Sequence, residues 1–124
     1  MQNKKFVFII THSYDNPDKV AGAMQVAANM ATFDAEIAFF LMDKGALLAK
    51  KGFAETLTWQ TKGQFSPVAD LMKTLIEDFK IKFYICEACY KYHELNKAEL
   101  IPNSEPKTGS YLGEMLFERQ GLTF

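Results

Sequence analysis

The stretch Phe6-Val-Phe-Ile-Ile10 is a continuous run of aromatic and aliphatic residues. A second run of the same kind is Ile37-Ala-Phe-Phe-Leu-Met42. Strands that lack an alternation of apolar and polar residues are typical of a parallel sheet whose two faces are both covered. We therefore predict that both runs are buried strands of a parallel sheet, and this prediction decides the fold class.

A helix is predicted between these two strands. Asn16 can cap its first turn, Pro17 fits the first helical position, and Asp18 suits the positive end of the helix dipole. Its apolar and small residues recur at helical spacing, at Val20, Met24, Ala27, Ala28 and Ala31. A strand, a helix and a second strand form a βαβ unit, which is almost always right-handed.

The middle of the chain continues the alternation of helices and strands. A short helix is predicted over residues 45–51, and an irregular stretch over residues 52–65. Ser66-Pro67 opens the clearest helix, which carries one apolar stripe of Val68, Leu71, Met72, Leu75, Ile76 and Phe79. A third strand is predicted over residues 81–85, and a short helix over residues 87–95.

The last part of the chain is predicted to hold an edge strand near Pro106, a helix over residues 110–120 and a final strand over residues 122–124. We expect Gly121 to cap this helix, whose inward-facing residues would be Leu112, Met115 and Leu116. The alternation of elements predicts a three-layer α/β/α sandwich with a mostly parallel sheet, built as a single domain over residues 1–124.

Composition and charge exclude several classes of protein. Hydrophobic residues make up 48% of the chain and charged residues 23%, as in ordinary globular proteins. The net charge is −1 and no long basic run occurs, so we expect no nucleic-acid partner. The apolar run at residues 6–10 is too short for a membrane span or a signal sequence, so we expect a cytoplasmic protein without a membrane span.

Two cysteines, Cys86 and Cys89, are the best candidates for chemistry. Cys86 stands where the third strand meets a helix, and the positive end of the helix dipole would stabilise its thiolate and lower its pKa. Cys89 follows one helical turn later, so it could form a disulfide with Cys86, act as a resolving thiol, or pack under its helix. In a reducing compartment this pair favours a redox, carrier or metal role over a structural disulfide.

Further candidate residues follow the carboxyl ends of the strands, where ligands bind in parallel sheets. His12 and Ser13 follow the first strand beside a helix start that could hold an anion. Asp43 and Lys44 follow the second strand, where they form either a solvated turn or part of a pocket wall. His93 could be a base, a third metal ligand or a surface histidine. One CxxC pair is weak evidence for zinc, and no nucleotide motif is present, so we predict neither a metal nor a cofactor.

Four motifs together resemble one known family: Phe6-Val-Phe-Ile-Ile-Thr11, Ala38-Phe-Phe-Leu-Met-Asp-Lys-Gly45, Tyr84-Ile-Cys-Glu-Ala-Cys89 and Gly113-Glu-Met-Leu-Phe-Glu-Arg-Gln-Gly-Leu-Thr-Phe124. They are similar to the DsrE/DsrF-like sulfur-relay proteins, which include the Dsr and Tus relay subunits. The resemblance implies an α/β fold of about five strands and homo-oligomers, as trimers or hexamers. It also implies sulfur donor and acceptor proteins as partners, with Cys86 as the active cysteine and Cys89 as the second cysteine of some members.

The preferred functional hypothesis is therefore a sulfur carrier or sulfurtransferase-like protein, which holds sulfur on Cys86 as a persulfide or thiosulfonate. A second hypothesis is a redox protein that cycles between the Cys86–Cys89 dithiol and disulfide. A third is a non-catalytic oligomeric binding protein, in which both cysteines are packing residues. A fourth, metal binding by both cysteines and His93, needs another ligand from elsewhere in the chain.

Overall fold

Five parallel strands form one sheet in the computed structural model, which describes residues 4–57 and 66–124. The strands are β1 (Lys5–Ile10), β2 (Glu36–Leu41), β3 (Lys82–Cys86), β4 (Ser104–Lys107) and β5 (Gln120–Thr123). Their order across the sheet is β4-β3-β2-β1-β5, and each of these neighbouring pairs is parallel. The predicted α/β fold with a parallel sheet is confirmed.

The described residues form four α-helices: α1 (Pro17–Thr32), α2 (Pro67–Glu77), α3 (Glu87–Tyr92) and α4 (Gly109–Glu118). Shorter 3-10 helices are Asp43–Ala49, Ala54–Thr56 and Leu95–Lys97. Helices α1 and α2 pack side by side over one face, and α4 packs over the other beside β1 and β5. Within the described parts of the chain, no helix has both the length and the apolar character that crossing a bilayer requires.

The two faces of the sheet bury alternate residues of each strand, as the geometry of a strand requires. The face under α1 and α2 carries the larger cluster, in which the rings of Phe39 and Phe83 stack with centroids 4.5 Å apart. The face under α4 carries a small cluster of Val7, Ile9, Ala38, Phe40 and Met115. The second layer is therefore thinner than the first, and this difference shapes the surroundings of Cys86.

The start of α4 agrees with the prediction, but its packing and its end do not. Met115 is buried, whereas Leu112 is only half-buried and Leu116 is exposed. The predicted cap, Gly121, lies within β5 and pairs with Val7 of β1. Helix α4 ends at Glu118, and Arg119 already has extended backbone. The chain continues directly into β5, which pairs with β1.

Other observed helix boundaries differ from the predicted ones by a few residues. The short helix predicted over residues 45–51 is the 3-10 helix Asp43–Ala49, and the helix predicted over residues 87–95 ends at Tyr92. Part of the irregular stretch forms the 3-10 helix Ala54–Thr56, and its residues 58–65 lie outside the described residues. Asn16 does precede α1, but its side chain makes no capping hydrogen bond.

Ser66 caps α2 with its side chain and also joins it to the preceding turn. Its Oγ accepts a hydrogen bond from the Ala69 N–H at 3.2 Å and donates one to the Ala54 carbonyl at 2.7 Å, and the residue is buried. Replacing Ser66 with Ala should lower the free energy of unfolding by about 1–2 kcal/mol, as urea denaturation would measure.

Asn16→Ala is the matched control, because Asn16 holds the same position before α1 without a capping bond. It should change the free energy of unfolding by less than about 0.5 kcal/mol. Equal losses in the two variants would contradict the role given to Ser66.

Candidate functional site

The carboxyl ends of three neighbouring strands lie at one edge of the sheet. Ile10 of β1 pairs with Leu41 of β2, and Leu41 pairs with Ile85 of β3. Because the three strands are parallel and end almost level, the residues that follow them emerge side by side. The structure therefore brings the predicted candidates on all three strands to the same edge.

A buried glycine holds the ends of β1 and β2 together. The Met42 N–H donates to the Ile10 carbonyl at 3.0 Å, and Gly45 packs directly against that carbonyl. A Cβ at position 45 would overlap the Ile10 oxygen, so only glycine allows this approach. The close contact places the turn at Asp43 and Lys44 against the end of β1.

Cys86 is the last residue of β3 and directly precedes α3, as predicted. Its half-buried side chain packs against the cluster under α4, as do Met42, Tyr84, Tyr111 and Leu112. It pairs in register with Lys107 of β4, whose Nζ lies 4.8 Å from the centre of the Tyr111 ring. Cys86 therefore shares its layer with two tyrosines, and a cation lies on the adjacent strand.

Cys89 has different surroundings, because it packs against the cluster under α1 and α2. Its Sγ accepts a hydrogen bond from the Asp43 N–H at 3.1 Å. Burial raises the pKa of the Cys89 thiol, the Asp43 hydrogen bond opposes this effect, and a hydrogen bond with the Cys86 side chain adds to it. The Cys89 thiol therefore favours its protonated form.

The peptide groups of Asp43 connect β2 to α3, an arrangement that we call the Asp43 clamp. While its N–H contacts the Cys89 sulfur, its carbonyl lies 3.0 Å from Nε2 of His93. A carbonyl only accepts hydrogen bonds, so Nε2 of His93 carries a proton in this contact. Asp43 has a left-handed backbone with φ of 53°, which costs energy for a residue with a Cβ and is held by these two contacts.

A cavity of about 500 Å³ opens beside the Asp43 clamp. Four of the predicted residues line it, namely Asp43, Lys44, Cys89 and His93. The other lining residues are Tyr14, Ala88 and Tyr92, and Cys86 lies outside this lining. Tyr92 was not among the predicted site residues, and the only signal for its place here is its position three residues after Cys89.

The remaining predicted residues, His12 and Ser13, form hydrogen bonds with the carboxylate of Asp15, which was not among the predicted residues. Asp15 accepts a hydrogen bond from the Ser13 N–H at 2.9 Å, and its other oxygen lies 2.7 Å from Nδ1 of His12. The buried Ser13 hydroxyl donates to the Lys44 carbonyl at 2.7 Å. Asp15 thus occupies the Ser13 amide expected for an external anion, and the acidic residue two positions after Ser13 was the available signal.

A group of three or more His, Cys, Asp or Glu side chains arranged to hold a metal is absent from residues 4–57 and 66–124. Cys86, Cys89 and His93 are near neighbours in sequence, but the imidazole of His93 is directed to the Asp43 carbonyl.

The Asp15 carboxylate should make stability depend on pH at the acidic end. The Ser13 N–H, and then His12, lower its pKa to about 2. A depressed carboxyl pKa contributes stability that is complete above the unfolded value of 3.8 and is lost as the pH falls through about 2. Asp15→Asn should therefore be less stable than the wild type at neutral pH, and the gap should close on acidification. A gap that stays constant down to about pH 2 in urea denaturation would contradict this role.

Comparison with known proteins identifies the family. The sequence profile of the DsrE/DsrF-like family matches residues 4–124, and no curated protein matches the chain. Among solved structures, the crystal structure of the ychN protein from E. coli is similar, with a TM-score of 0.80 and 16% sequence identity. The alignment covers 99% of this chain and 100% of that one, and at this identity it shows the fold alone. With the strand-end cysteine in place and the family profile matched over nearly its whole length, the chain belongs to the DsrE/DsrF-like family, whose members work in sulfur relay.

Proposed function

We propose that this protein is a sulfur carrier that accepts sulfane sulfur on Cys86, as a persulfide or thiosulfonate, and passes it to an acceptor protein. The observation that carries the proposal is the position of Cys86, a half-buried free thiol at the carboxyl end of β3 beside a second free thiol. Membership of a sulfur-relay family supports the same role. We place the protein in the cytoplasm, where reducing conditions keep such thiols free.

The chemistry of a persulfide carrier balances without an external oxidant or reductant. The Cys86 thiolate attacks the outer sulfur of a donor persulfide, the donor's S–S bond breaks, and the donor leaves as a thiolate. In the second step an acceptor thiolate attacks the outer sulfur now held on Cys86, and Cys86 is released as a thiolate. One neutral sulfur atom moves in each step, and both exchanges need the thiolate form of the attacking cysteine.

The surroundings of Cys86 suit an anionic group. Lys107 is the register partner of Cys86, so its side chain lies on the same face of the sheet. Its amine stacks over Tyr111, and Glu105 neutralises part of the charge at 3.8 Å. A persulfide or thiosulfonate on Cys86 would lie beside this cation, which favours the negative charge that both groups carry.

Sulfur loading on Cys86 is the direct test. After exposure to a polysulfide donor and removal of the excess, mass spectrometry should find the peptide of Cys86 heavier by at least one sulfur atom. Cys86→Ser should lose most of this modification, by roughly tenfold or more, because the attacking thiolate is gone. An unmodified Cys86, or equal labelling of the serine variant, would overturn the proposal.

A dithiol–disulfide redox protein is the second candidate, since Cys86 and Cys89 are both free and lie one helical turn apart at the start of α3. The same experiment separates the two candidates. A redox protein forms the Cys86–Cys89 disulfide on mild oxidation and loses its activity in Cys89→Ser. A sulfur carrier instead retains the added sulfur on Cys86 in that variant.

We further propose that the protein assembles into a homo-oligomer, a trimer or a hexamer. Two large apolar residues of α4 support this: Phe117 is 93% exposed and Leu116 is also exposed. Contiguous apolar side chains exposed on a surface are typical of a protein–protein contact face.

Phe117→Glu should shift the sedimenting mass toward that of one 14.1 kDa chain, because a carboxylate would be buried in the contact. Phe33→Glu is the matched control, since Phe33 is also 70% exposed but lies at the end of α1 in the other layer. A wild-type protein that sediments as a single chain would contradict the assembly.

A further inference from the structure

We propose that Cys89 is a second sulfur-holding residue, which takes the sulfane sulfur from Cys86 and presents it to the acceptor in the cavity between Tyr14 and Tyr92. The inference rests on the proposed function of Cys86 and adds the route by which sulfur leaves. Sulfur would enter on the face under α4 and leave through the cavity beside the Asp43 clamp.

The two thiols have different surroundings. Cys86 packs with Tyr84, Tyr111 and the other residues under α4, whereas Cys89 lines the cavity and packs against the layer of α1 and α2. A partner that reaches one sulfur therefore approaches a different surface from a partner that reaches the other. Two surfaces let a donor and an acceptor use separate docking sites.

The two sulfurs are within reach of each other. Cys86 immediately precedes α3 and Cys89 lies three residues later, one helical turn away, a spacing that makes side chains neighbours. A persulfide on Cys86 places its outer sulfur about 2 Å beyond Sγ, within reach of the neighbouring thiol. Transfer between residues held in this way avoids the entropic cost of a second encounter.

The Asp43 clamp stabilises negative charge on the Cys89 sulfur. When an acceptor attacks a persulfide on Cys89, the inner sulfur leaves as a thiolate. The Asp43 N–H, 3.1 Å from that sulfur, is already placed to donate a hydrogen bond to the developing negative charge. His93 contacts the Asp43 carbonyl at 3.0 Å and so ties the backbone on the other side of the same residue to α3.

The cavity fits the approach of an acceptor cysteine on a partner protein. Its volume of about 500 Å³ leaves room for a second sulfur on Cys89 and an incoming side chain. Tyr14 and Tyr92 are 58% and 82% exposed, which suits them for contact with a protein surface. The Lys44 amine lies 5.7 Å from the Tyr14 ring centre and 3.9 Å from an Asp15 carboxylate oxygen, so it adds a partly neutralised positive charge to this wall.

The internal step balances in atoms and electrons. The Cys89 thiolate, formed by loss of its proton to solvent, attacks the outer sulfur of the Cys86 persulfide. The S–S bond on Cys86 breaks as the new S–S bond on Cys89 forms, and Cys86 leaves as a thiolate that takes up a proton. The acceptor thiolate then repeats the exchange on Cys89, and no disulfide forms between the two residues.

The test follows the position of the added sulfur over time. The protein is loaded with inorganic polysulfide, freed of donor, and mixed with reduced glutathione as the acceptor. Tandem mass spectrometry distinguishes Cys86 from Cys89, because a backbone cleavage between them separates the two masses. In the wild type, the added sulfur should appear first on Cys86 and then on Cys89. Cys89→Ser should load Cys86 fully and release the sulfur roughly tenfold more slowly.

Asn96→Ser is the control, because Asn96 is an exposed residue that follows α3 and lies outside the lining of this cavity. It should load and discharge at the wild-type rate. Because sulfur is also located in the wild type, the test does not depend on the folding of Cys89→Ser.

Three results would overturn the relay and leave the proposed function of Cys86 standing. They are a wild type whose sulfur never reaches Cys89, a Cys89→Ser variant that discharges at the wild-type rate, and a discharged protein two hydrogen atoms lighter, which indicates a Cys86–Cys89 disulfide. Absence of sulfur from Cys86 in both the wild type and Cys89→Ser would instead overturn the proposed function itself.

Discussion

The parallel hydrogen-bond ladder that joins β1, β2 and β3 is the constraint on which the rest of the structure depends. It aligns Ile10, Leu41 and Ile85 across the sheet, so the residues that follow them emerge at one edge. A parallel ladder requires a crossover between successive strands, and α1 and α2 supply these crossovers on one face. That face therefore becomes the thick layer, and the opposite face is left to α4 with little buried side-chain volume.

The unequal layers explain why the two cysteines differ. Cys86 ends β3 with its side chain on the thin face, among partly exposed aromatic residues. Cys89, one helical turn later, has turned toward the thick face, where burial raises the pKa of its thiol. A CxxC spacing at the end of a strand thus places two neighbouring sulfurs in separate environments, because the strand and the helix direct successive side chains by different rules.

The Asp43 clamp shows how backbone groups complete a site that side chains only outline. Its N–H and carbonyl satisfy the sulfur of Cys89 and the ring of His93, and its left-handed φ is retained because both contacts favour it. Gly45, two residues later, lets the same turn pack against the end of β1. The end of β2, the turn and α3 are therefore linked through the backbone of one residue, Asp43.

Sequence alone determined the class of fold and the position of Cys86, because unbroken apolar strands and helical periodicity are local signals of burial. It did not determine the end of α4, where pairing of β5 with β1 prevails over the capping preference of Gly121. It also missed the engagement of Asp15 with His12 and Ser13, and the opening of Cys89 into a cavity apart from Cys86. These features depend on contacts between residues far apart in the chain or on the direction of single side chains, and only the packed tertiary structure fixes both.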